Sequence, residues 1–303
     1  MLRTPDAADA VAVAVVGSAN LDLVVYAPRS PEPGETVMGD DLEEHPGGKG
    51  LNQALAAALH APTAFVGAVG SDHAADVLLA ALTGAGVETS FVRRTAGKSG
   101  VAVVNLAADG ENSITVIAGS NADVTADETT RALDALQPRI VVTQLETPVS
   151  AVVAAAQWAA AEGARWVFNP SPVEQFTEAP ADHPIRVVFA TADPLIVNAG
   201  EGKSILRMFG APSDDVSEVV KILSALVTSV VLTDGSRGAY VSDESGAHFV
   251  PATPVDAVDT TGAGDSFAGT LAARLVAGST LAEAAASASA AASATVAVAR
   301  SDR

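Results

Sequence analysis

The sequence predicts an α/β fold built on a largely parallel central sheet with helices on both faces. Short apolar runs alternate with helical stretches along most of the chain, which is the pattern of strand–helix–strand units. These runs are apolar throughout, as strands buried on both faces are. Two turn-rich stretches interrupt the alternation and fit no such unit. We therefore expect one α/β domain over residues 1–303, carrying a small separate sheet.

The elements follow in chain order. A first buried strand is predicted at 11–17, and a glycine-rich segment opens a helix that continues to Ala58. A second strand at 63–69 precedes a helix at 73–82. A third strand at 140–145 precedes a helix at 149–161. The remaining predicted strands are 165–168, 195–198 and 230–233, and the last helices begin near Gly264 and near Leu281.

The small sheet is predicted from segments of about 21–45 and 99–118. The first is extended and has no helical period. The second contains two short strands flanking Asp109-Gly110, a hairpin-turn signal. The segments either cover a cleft, pair with another subunit, or only decorate an edge. We expect the apolar residues of such a cover to influence the choice of ligand: Val101, Val103, Ile114 and Val116.

Composition excludes several classes of function. The 303 residues include 17 basic and 36 acidic ones, a formal net charge of −19 at pH 7. Such a charge repels nucleic acid and anionic membranes. Cysteine is absent, so disulfides and thiolate catalysis are excluded. The sequence shows neither a long apolar span nor a convincing signal peptide, and we expect a cytoplasmic protein. The same charge would repel an anionic substrate, so a phosphate site would have to rely on backbone N–H groups, a helix N-terminus and a metal ion.

The strongest motif is Val258-Asp259-Thr260-Thr261-Gly262-Ala263-Gly264-Asp265. A Gly-Ala-Gly turn at a helix start lets backbone approach a ligand, and the helix N-terminus favours an anion. Asp265 in the first turn would repel that anion. Its presence makes sense if it takes a proton from a hydroxyl that attacks a phosphate. The alternative, about equally weighted on residue types alone, is an ordinary helix start stabilised by an Asp.

Further polar residues follow predicted strands. Lys49 and Asn52 share a face of the helix opened by Gly47-Gly48-Lys49-Gly50, where they suit sugar hydroxyls; the alternative is a flexible loop. Asn20 and Asp22 follow the first strand, and Glu146 the third. Carboxyl ends of strands are where open α/β sheets bind ligands. Three more signals of this kind are Asn198, Glu201 and the turn Thr233-Asp234-Gly235-Ser236-Arg237-Gly238.

Competing motifs fail. Gly202-Lys203-Ser204 resembles the end of a P-loop, but Val197 stands where a glycine is required. No dinucleotide-binding glycine pattern follows the first strand, and no nucleophile elbow occurs. The five histidines have no metal-ligand spacing.

Together, Gly47-Gly48-Lys49-Gly50 with Asn52 and the segment from Asp259 to Asp265 resemble the two signatures of the PfkB family of carbohydrate kinases. The resemblance covers nearly the whole chain. Within the family it is greatest to the ribokinase group, through Asn20, Asp22, the stretch 144–148 and Gly119-Ser120-Asn121-Ala122. It implies a ribokinase-like three-layer sandwich with a β-lid that often forms a homodimer interface.

The resemblance also implies roles. Asp265 would be the base, and Gly262, Ala263 and Gly264 would form the anion hole with it. The sugar would be held by Asp265 with Asn20, Asp22, Gly48, Lys49, Asn52 and Glu146. ATP and Mg²⁺ would be served by Asn198, Glu201, Thr233, Gly235, Gly238 and Gly264. A monovalent cation, usually potassium, would lie at Asp259 and Thr261.

Two departures accompany this likeness. The family's pattern continues past the last helix with a glycine-containing loop and a further helix, whereas this sequence ends at Arg303. On the sequence, potassium binding and part of the adenine pocket therefore stay open. In addition, Ala199 replaces an acidic residue that many relatives carry after the asparagine of this motif, although Glu201 is present.

The expected reaction is ATP-dependent phosphorylation of the primary hydroxyl of ribose, giving ribose 5-phosphate. The alternatives are a kinase for another small sugar or nucleoside, such as fructose, deoxyribose or adenosine, and a non-catalytic sugar-binding sensor.

Overall fold

A computed structural model describes residues 10–107 and 112–302. The hairpin turn predicted at Asp109-Gly110 lies outside these residues. Within them, the strands are β1 (Val13–Val16), β2 (Asn20–Ala27), β3 (Asp41–Gly47), β4 (Thr63–Val69), β5 (Val92–Arg94), β6 (Gly100–Ala107), β7 (Asn112–Ile117), β8 (Ile140–Thr143), β9 (Arg165–Phe168), β10 (Leu195–Asn198), β11 (Val230–Thr233), β12 (Gly238–Asp243) and β13 (Gly246–Pro251).

Within the same residues, the helices are α1 (Lys49–Ala58), α2 (His73–Gly84), α3 (Ala126–Leu136), α4 (Val149–Glu162), α5 (Pro184–Phe189), α6 (Ala199–Met208), α7 (Val216–Leu226), α8 (Ala263–Val276) and α9 (Leu281–Val296), with short 3₁₀ turns at Gly119–Asp123, Glu174–Phe176, Gly235–Arg237 and Arg300–Asp302. Three of the helices, α2, α4 and α6, begin shortly after β4, β8 and β10 of the main sheet.

The main sheet has nine strands in the order β13-β12-β11-β10-β9-β8-β1-β4-β5. The seven from β11 to β5 are parallel, and β12 and β13 add an antiparallel edge. Alternate residues of β1 enter two separate cores. Val13 and Val15 pack with α1, α2, α8 and α9, while Ala14 and Val16 pack with α3 to α7. The predicted three-layer α/β sandwich with a largely parallel sheet is confirmed.

Burial on both faces explains which strands the sequence could predict. The bounds of β4, β9, β10 and β11 agree with the sequence, because each is a continuous apolar run. β1 and β8 are shorter than predicted, and β5, β12 and β13 were not anticipated. These last three lie toward the edges of the sheet, and their sequences, Val-Arg-Arg, Gly-Ala-Tyr-Val-Ser-Asp and Gly-Ala-His-Phe-Val-Pro, are not continuous apolar runs.

A second sheet has four strands in the order β3-β2-β6-β7, with β2 and β6 parallel and the other pairs antiparallel. Residues that pair across strands project from the same face. The register pairs Asp22 with Ala102, and Ala102 with Val116. Asp22, Val116 and Ile114 therefore share one face.

Val101 and Val103 lie on the opposite face of this sheet, because successive residues of a strand alternate. Of the four apolar residues expected to influence the choice of ligand, Ile114 and Val116 therefore share the face of Asp22, and the two valines of β6 do not.

Over the described ranges, no helix is both long enough and apolar enough to span a membrane.

Candidate active site

The site forms where the strand order reverses, beyond the carboxyl end of β1. This strand lies between β4 and β8, and open parallel sheets bind ligands in the crevice at such a point. The backbone here is tightly packed. A Cβ on Gly17 would lie 2.1 Å from Oε1 of Gln144 and 2.8 Å from Cα of Gly50. Only glycine lets the start of α1 approach the end of β1 so closely.

Lys49 begins α1 after Gly48, whose φ of 89° suits glycine. The Lys49 N–H donates to Oε2 of Glu146 over 3.1 Å, and Oγ of Ser18 donates to the same oxygen over 2.5 Å. Ser18 Oγ in turn accepts from the N–H of Gly50. Glu146 is thus fastened to both the end of β1 and the start of α1.

Asp265 lies in the first turn of α8, and only 7% of it is exposed. Gly262 precedes the helix in a left-handed conformation with φ of 75°, and no side chain of the described residues caps it. Nδ2 of Asn52 donates to Oδ2 of Asp265 over 3.1 Å, and Nε2 of Gln53 donates to Oδ1 over 3.0 Å. The carboxylate is therefore fixed beside the N–H groups of a helix N-terminus.

Gln53 belongs to a chain of buried amides that the sequence did not single out. Nε2 of Gln144 donates to Oε1 of Gln53 over 2.7 Å, and Nε2 of Gln53 also donates to Oδ1 of Asn169 over 3.0 Å. Nδ2 of Asn169 in turn donates to the carbonyl oxygen of Ile196. The only sequence signal was the position of Gln53 next to Asn52, inside a motif already under consideration.

Asn20 and Asp22 lie at the start of β2, and both are buried. Oδ1 of Asn20 accepts a 2.7 Å hydrogen bond from Nδ2 of Asn121. Oδ2 of Asp22 accepts a 2.7 Å bond from Nη2 of Arg300. The buried Oδ1 of Asp22 has no hydrogen-bond partner among the described residues. Arg300 was not a predicted site residue.

A cleft of about 220 Å³ opens beside Asp265. Its lining includes Asn169, Ser171, Ile196 and Val197, which were not predicted. The predicted residues in the lining are Lys49, Asn198, Glu201, Thr233, Gly262, Gly264 and Asp265.

The other predicted residues lie around the cleft. Asn52 and Glu146 join it through Asp265 and Lys49. Gly235 and Gly238 lie in the turn directly after Thr233. Asp259 and Thr261 lie in the segment before α8, where Oδ1 of Asp259 accepts from the N–H of Thr261 over 2.8 Å.

Asn198 and Glu201 have a structural role as well as a place in the lining. Oδ1 of Asn198 accepts from the Glu201 N–H, and Oε2 of Glu201 accepts from the Asn198 N–H, each over 2.9 Å. This capping box starts α6. One oxygen of each side chain is therefore already used.

Burial and mutual charge set the ionisation of the site. Burial raises the pKa of Asp22 and Arg300 opposes this, with a net upward shift. Burial likewise raises the pKa of Glu146 against the opposing effect of Lys49. Burial alone lowers the pKa of Lys49, but nearby carboxylates outweigh burial and its pKa is raised. These carboxylates are Asp265, Glu146, Glu201 and Glu174.

No group of three or more His, Asp or Glu side chains in the described ranges is arranged to hold a metal ion on its own. A larger cavity, of about 320 Å³, lies between β4, β5 and α3, and is lined largely by apolar atoms. None of the predicted site residues lines it, so we place the chemistry in the smaller, polar cleft.

Comparisons with known proteins agree with this geometry. A family model described as pfkB family carbohydrate kinase matches residues 11–301. Ribokinase of Bacillus subtilis (strain 168) is 34% identical over 272 residues, covering 89% of this chain and 87% of that protein. Deoxyribokinase of Salmonella typhi is 32% identical, covering 86% and 84%. The structure of Arabidopsis thaliana ribokinase complexed with ribose and ATP superposes with a TM-score of 0.82 at 31% identity, covering 95% of this chain and 93% of that one.

Replacing Gln53 with leucine should lower the free energy of unfolding by about 2–4 kcal/mol, because it strands buried polar atoms of Asp265, Asn169 and Gln144. Urea denaturation measures the change. Gln157→Leu, at an exposed position of α4, is the matched control and should stay within about 0.5 kcal/mol of the wild type. An equally small effect for Gln53→Leu would contradict a structural role for the amide chain.

Proposed function

The chain belongs to the pfkB family of carbohydrate kinases, and we propose that it is a ribokinase that transfers the γ-phosphoryl group of ATP to the primary hydroxyl of ribose. The observation that carries this proposal is the position of Asp265. Its carboxylate lines the cleft at the tip of α8 and is held by Asn52 and Gln53. A base and an anion-binding helix terminus thus meet in one place.

The chemistry follows from this pairing. Asp265 accepts the proton of the ribose hydroxyl as its oxygen attacks the γ-phosphorus. The bond from that phosphorus to the oxygen bridging the β-phosphate breaks, and ADP leaves. Uncapped N–H groups of the first turn of α8, at Gly264 and Asp265, stabilise negative charge on the transferred group. Lys49 supplies a positive charge close to the carboxylates of the site.

The sugar side of the site is assigned to residues that converge on Asp265. Hydrogen-bond donors and acceptors for the sugar hydroxyls would come from Asn20, Asp22, Gly48, Lys49, Asn52 and Glu146. The buried Oδ1 of Asp22, which lacks a partner among the described residues, needs a donor, and a sugar hydroxyl is one. A site built around such an acceptor disfavours a sugar that lacks the matching hydroxyl.

The nucleotide side lies at the ends of β10 and β11, with Asn198, Glu201, Thr233, Gly235, Gly238 and Gly264. Mg²⁺ usually keeps several waters and binds through one or two carboxylates plus substrate phosphates. Glu201 in the cleft fits this need, because only one of its oxygens is used by the capping box. The ion would neutralise phosphate charge. Asp259 and Thr261 are the proposed monovalent-cation site, for potassium.

The four-stranded sheet is proposed as a lid that also joins two copies of the chain. Its face that carries Asp22 also carries Ile114 and Val116, which are half-exposed; there they would cover the sugar and exclude water. The opposite face carries Leu42 and Ile117, which are 55% and 51% exposed. Exposed aliphatic residues on a face that cannot reach the sugar suit a homodimer interface. We propose a cytoplasmic location on the acidic, cysteine-free composition.

Asp265→Asn should lower kcat by about 100-fold or more, because an amide cannot accept the hydroxyl proton. Ribose affinity, measured by calorimetry, should largely survive. Asp182→Asn removes an exposed carboxylate outside the site and should leave kcat unchanged. Near-normal turnover by Asp265→Asn would refute its role as the base.

The wild type should release ADP in a coupled assay with ribose, Mg²⁺-ATP and potassium, more efficiently than with fructose, 2-deoxyribose or adenosine. Replacing potassium with sodium should lower the rate. Strong turnover of another acceptor with none of ribose would reject ribose in favour of that acceptor. Ribose binding without ADP release would favour the non-catalytic sensor.

Leu42→Glu combined with Ile117→Glu should convert a dimer into a monomer, as measured by light scattering, because the interface would have to bury two like charges from each copy. The control is Glu43→Gln, on the same strand but on the opposite face of the sheet. This variant should stay a dimer. A wild-type protein that is already monomeric at micromolar concentration would overturn the proposed interface.

A further inference from the structure

Arg300 makes a contact that none of the proposed roles explains. Its Nη2 donates to Oδ2 of Asp22 over 2.7 Å and to the carbonyl of Pro46 over 3.2 Å. The side chains of Arg300 and Asp22 are only 14% and 12% exposed. The pair therefore lies largely out of water, where an ion pair is screened much less than on a surface.

Asp22 needs such a partner more than an ordinary carboxylate does. It is buried, and Asp265 on α8 adds repulsion between like charges. A buried carboxylate without a counter-charge is costly in free energy. Arg300 and, across the strand pair, His45 are the basic groups that face it.

The contact uses only one of the two carboxylate oxygens. Arg300 takes Oδ2, while Oδ1 remains without a partner in the described part of the chain. The carboxylate also rests against Gly47, where a Cβ would lie 2.3 Å from Oδ2. Because Arg300 holds Oδ2 and the carboxylate packs against the backbone of Gly47, the direction of Oδ1 is fixed.

Arg300 is itself held near the site by its own segment. The carbonyl of Val296, at the end of α9, accepts from the N–H groups of Val258 and Asp259 over 2.7 and 3.2 Å. Four residues later, Arg300 reaches Asp22. The segment from 296 to 300 therefore touches both the approach to α8 and the start of β2.

We propose that Arg300 is a positioning residue of the sugar site, which holds the carboxylate of Asp22 so that its second oxygen accepts a sugar hydroxyl. The inference rests on the proposed function, because it assigns Asp22 to the sugar. It predicts that Arg300 governs sugar affinity, and that turnover at saturating sugar depends on it little.

The test compares Arg300→Ala, Arg300→Lys and wild type in the ribose assay. Arg300→Ala should raise KM for ribose by roughly 10–100-fold, with kcat changed less than about threefold, since truncating one partner of a buried charge pair strands the other. Arg300→Lys should recover part of the loss. Arg207→Ala, which removes the same charge from an exposed position on α6, should match the wild type.

A double-mutant cycle distinguishes positioning from a general structural effect. In the Asp22→Asn background, Arg300→Ala should change kcat/KM by less than about twofold, because no carboxylate remains to be positioned. A full additional loss in that background would overturn the proposal. So would an unchanged or lower KM in the single variant; a lower value would indicate that Arg300 competes with the sugar.

The pH profile gives an independent readout. Arg300 lowers the pKa of Asp22, so its removal should raise that pKa and move the acid-side fall of kcat/KM to higher pH. His45 on β3 and Asp265 on α8, which also face Asp22, are unchanged in the variant. An acid limb that does not move would contradict the proposal.

The two proposals fail separately. If the wild type phosphorylates no sugar in the panel, the proposed function is wrong. Arg300 is then judged on ribose binding without nucleotide, measured by calorimetry for the wild type and for Arg300→Ala. Equal affinities, or no binding by either protein, would overturn it, and a roughly tenfold or greater loss would support it.

Discussion

The site depends on keeping several carboxylates close together and largely out of water. Asp22 and Asp265 are buried and Glu146 is half-buried, and Asp265 repels each of the other two. Like charges in such an environment raise one another's pKa unless cations and hydrogen-bond donors intervene. Lys49 and Arg300 supply the positive charge. The start of α1 brings Lys49 to these carboxylates, and the turn after α9 brings Arg300.

Neutral hydrogen-bond donors also stabilise the carboxylates of the site. Asp265 receives an amide N–H on each oxygen, and Glu146 receives a hydroxyl and a backbone N–H on one. These donors stabilise a carboxylate without adding a charge that would hold a phosphate too tightly. The arrangement also resolves a conflict visible in composition. A chain with a net charge of −19 repels nucleotides at long range, and the proposed helix terminus, Lys49 and Mg²⁺ would supply the attraction locally.

How much of this could be read from the sequence depends on how local each signal is. Buried parallel strands are continuous apolar runs, and β4, β9, β10 and β11 were predicted with their bounds. β12 and β13, at the antiparallel edge, contain glycine and polar residues in place of a continuous apolar run, and they were not predicted. The glycine-rich starts of α1 and α8 carry their own signal, because bare backbone is needed there. Gln53 carries only its place beside Asn52, and Asn169 and Arg300 carry no signal. Gln53 and Asn169 lie 116 residues apart and Arg300 and Asp22 278, so only the folded structure brings these pairs together.

The link between Arg300 and Asp22 changes how the two halves of the site relate. The start of β2 belongs to the small sheet, whereas α8 and α9 belong to the main domain. A lid that moved freely would carry Asp22 away from Asp265, which Asn52 and Gln53 of α1 hold in place. Because Arg300 ties the root of β2 to the segment after α9, movement is expected further along the strands, toward Ile114, where side chains are exposed. On the proposed roles, the carboxylate assigned to the sugar then stays near the carboxylate assigned as the base, and the proposed lid would close around a site already assembled.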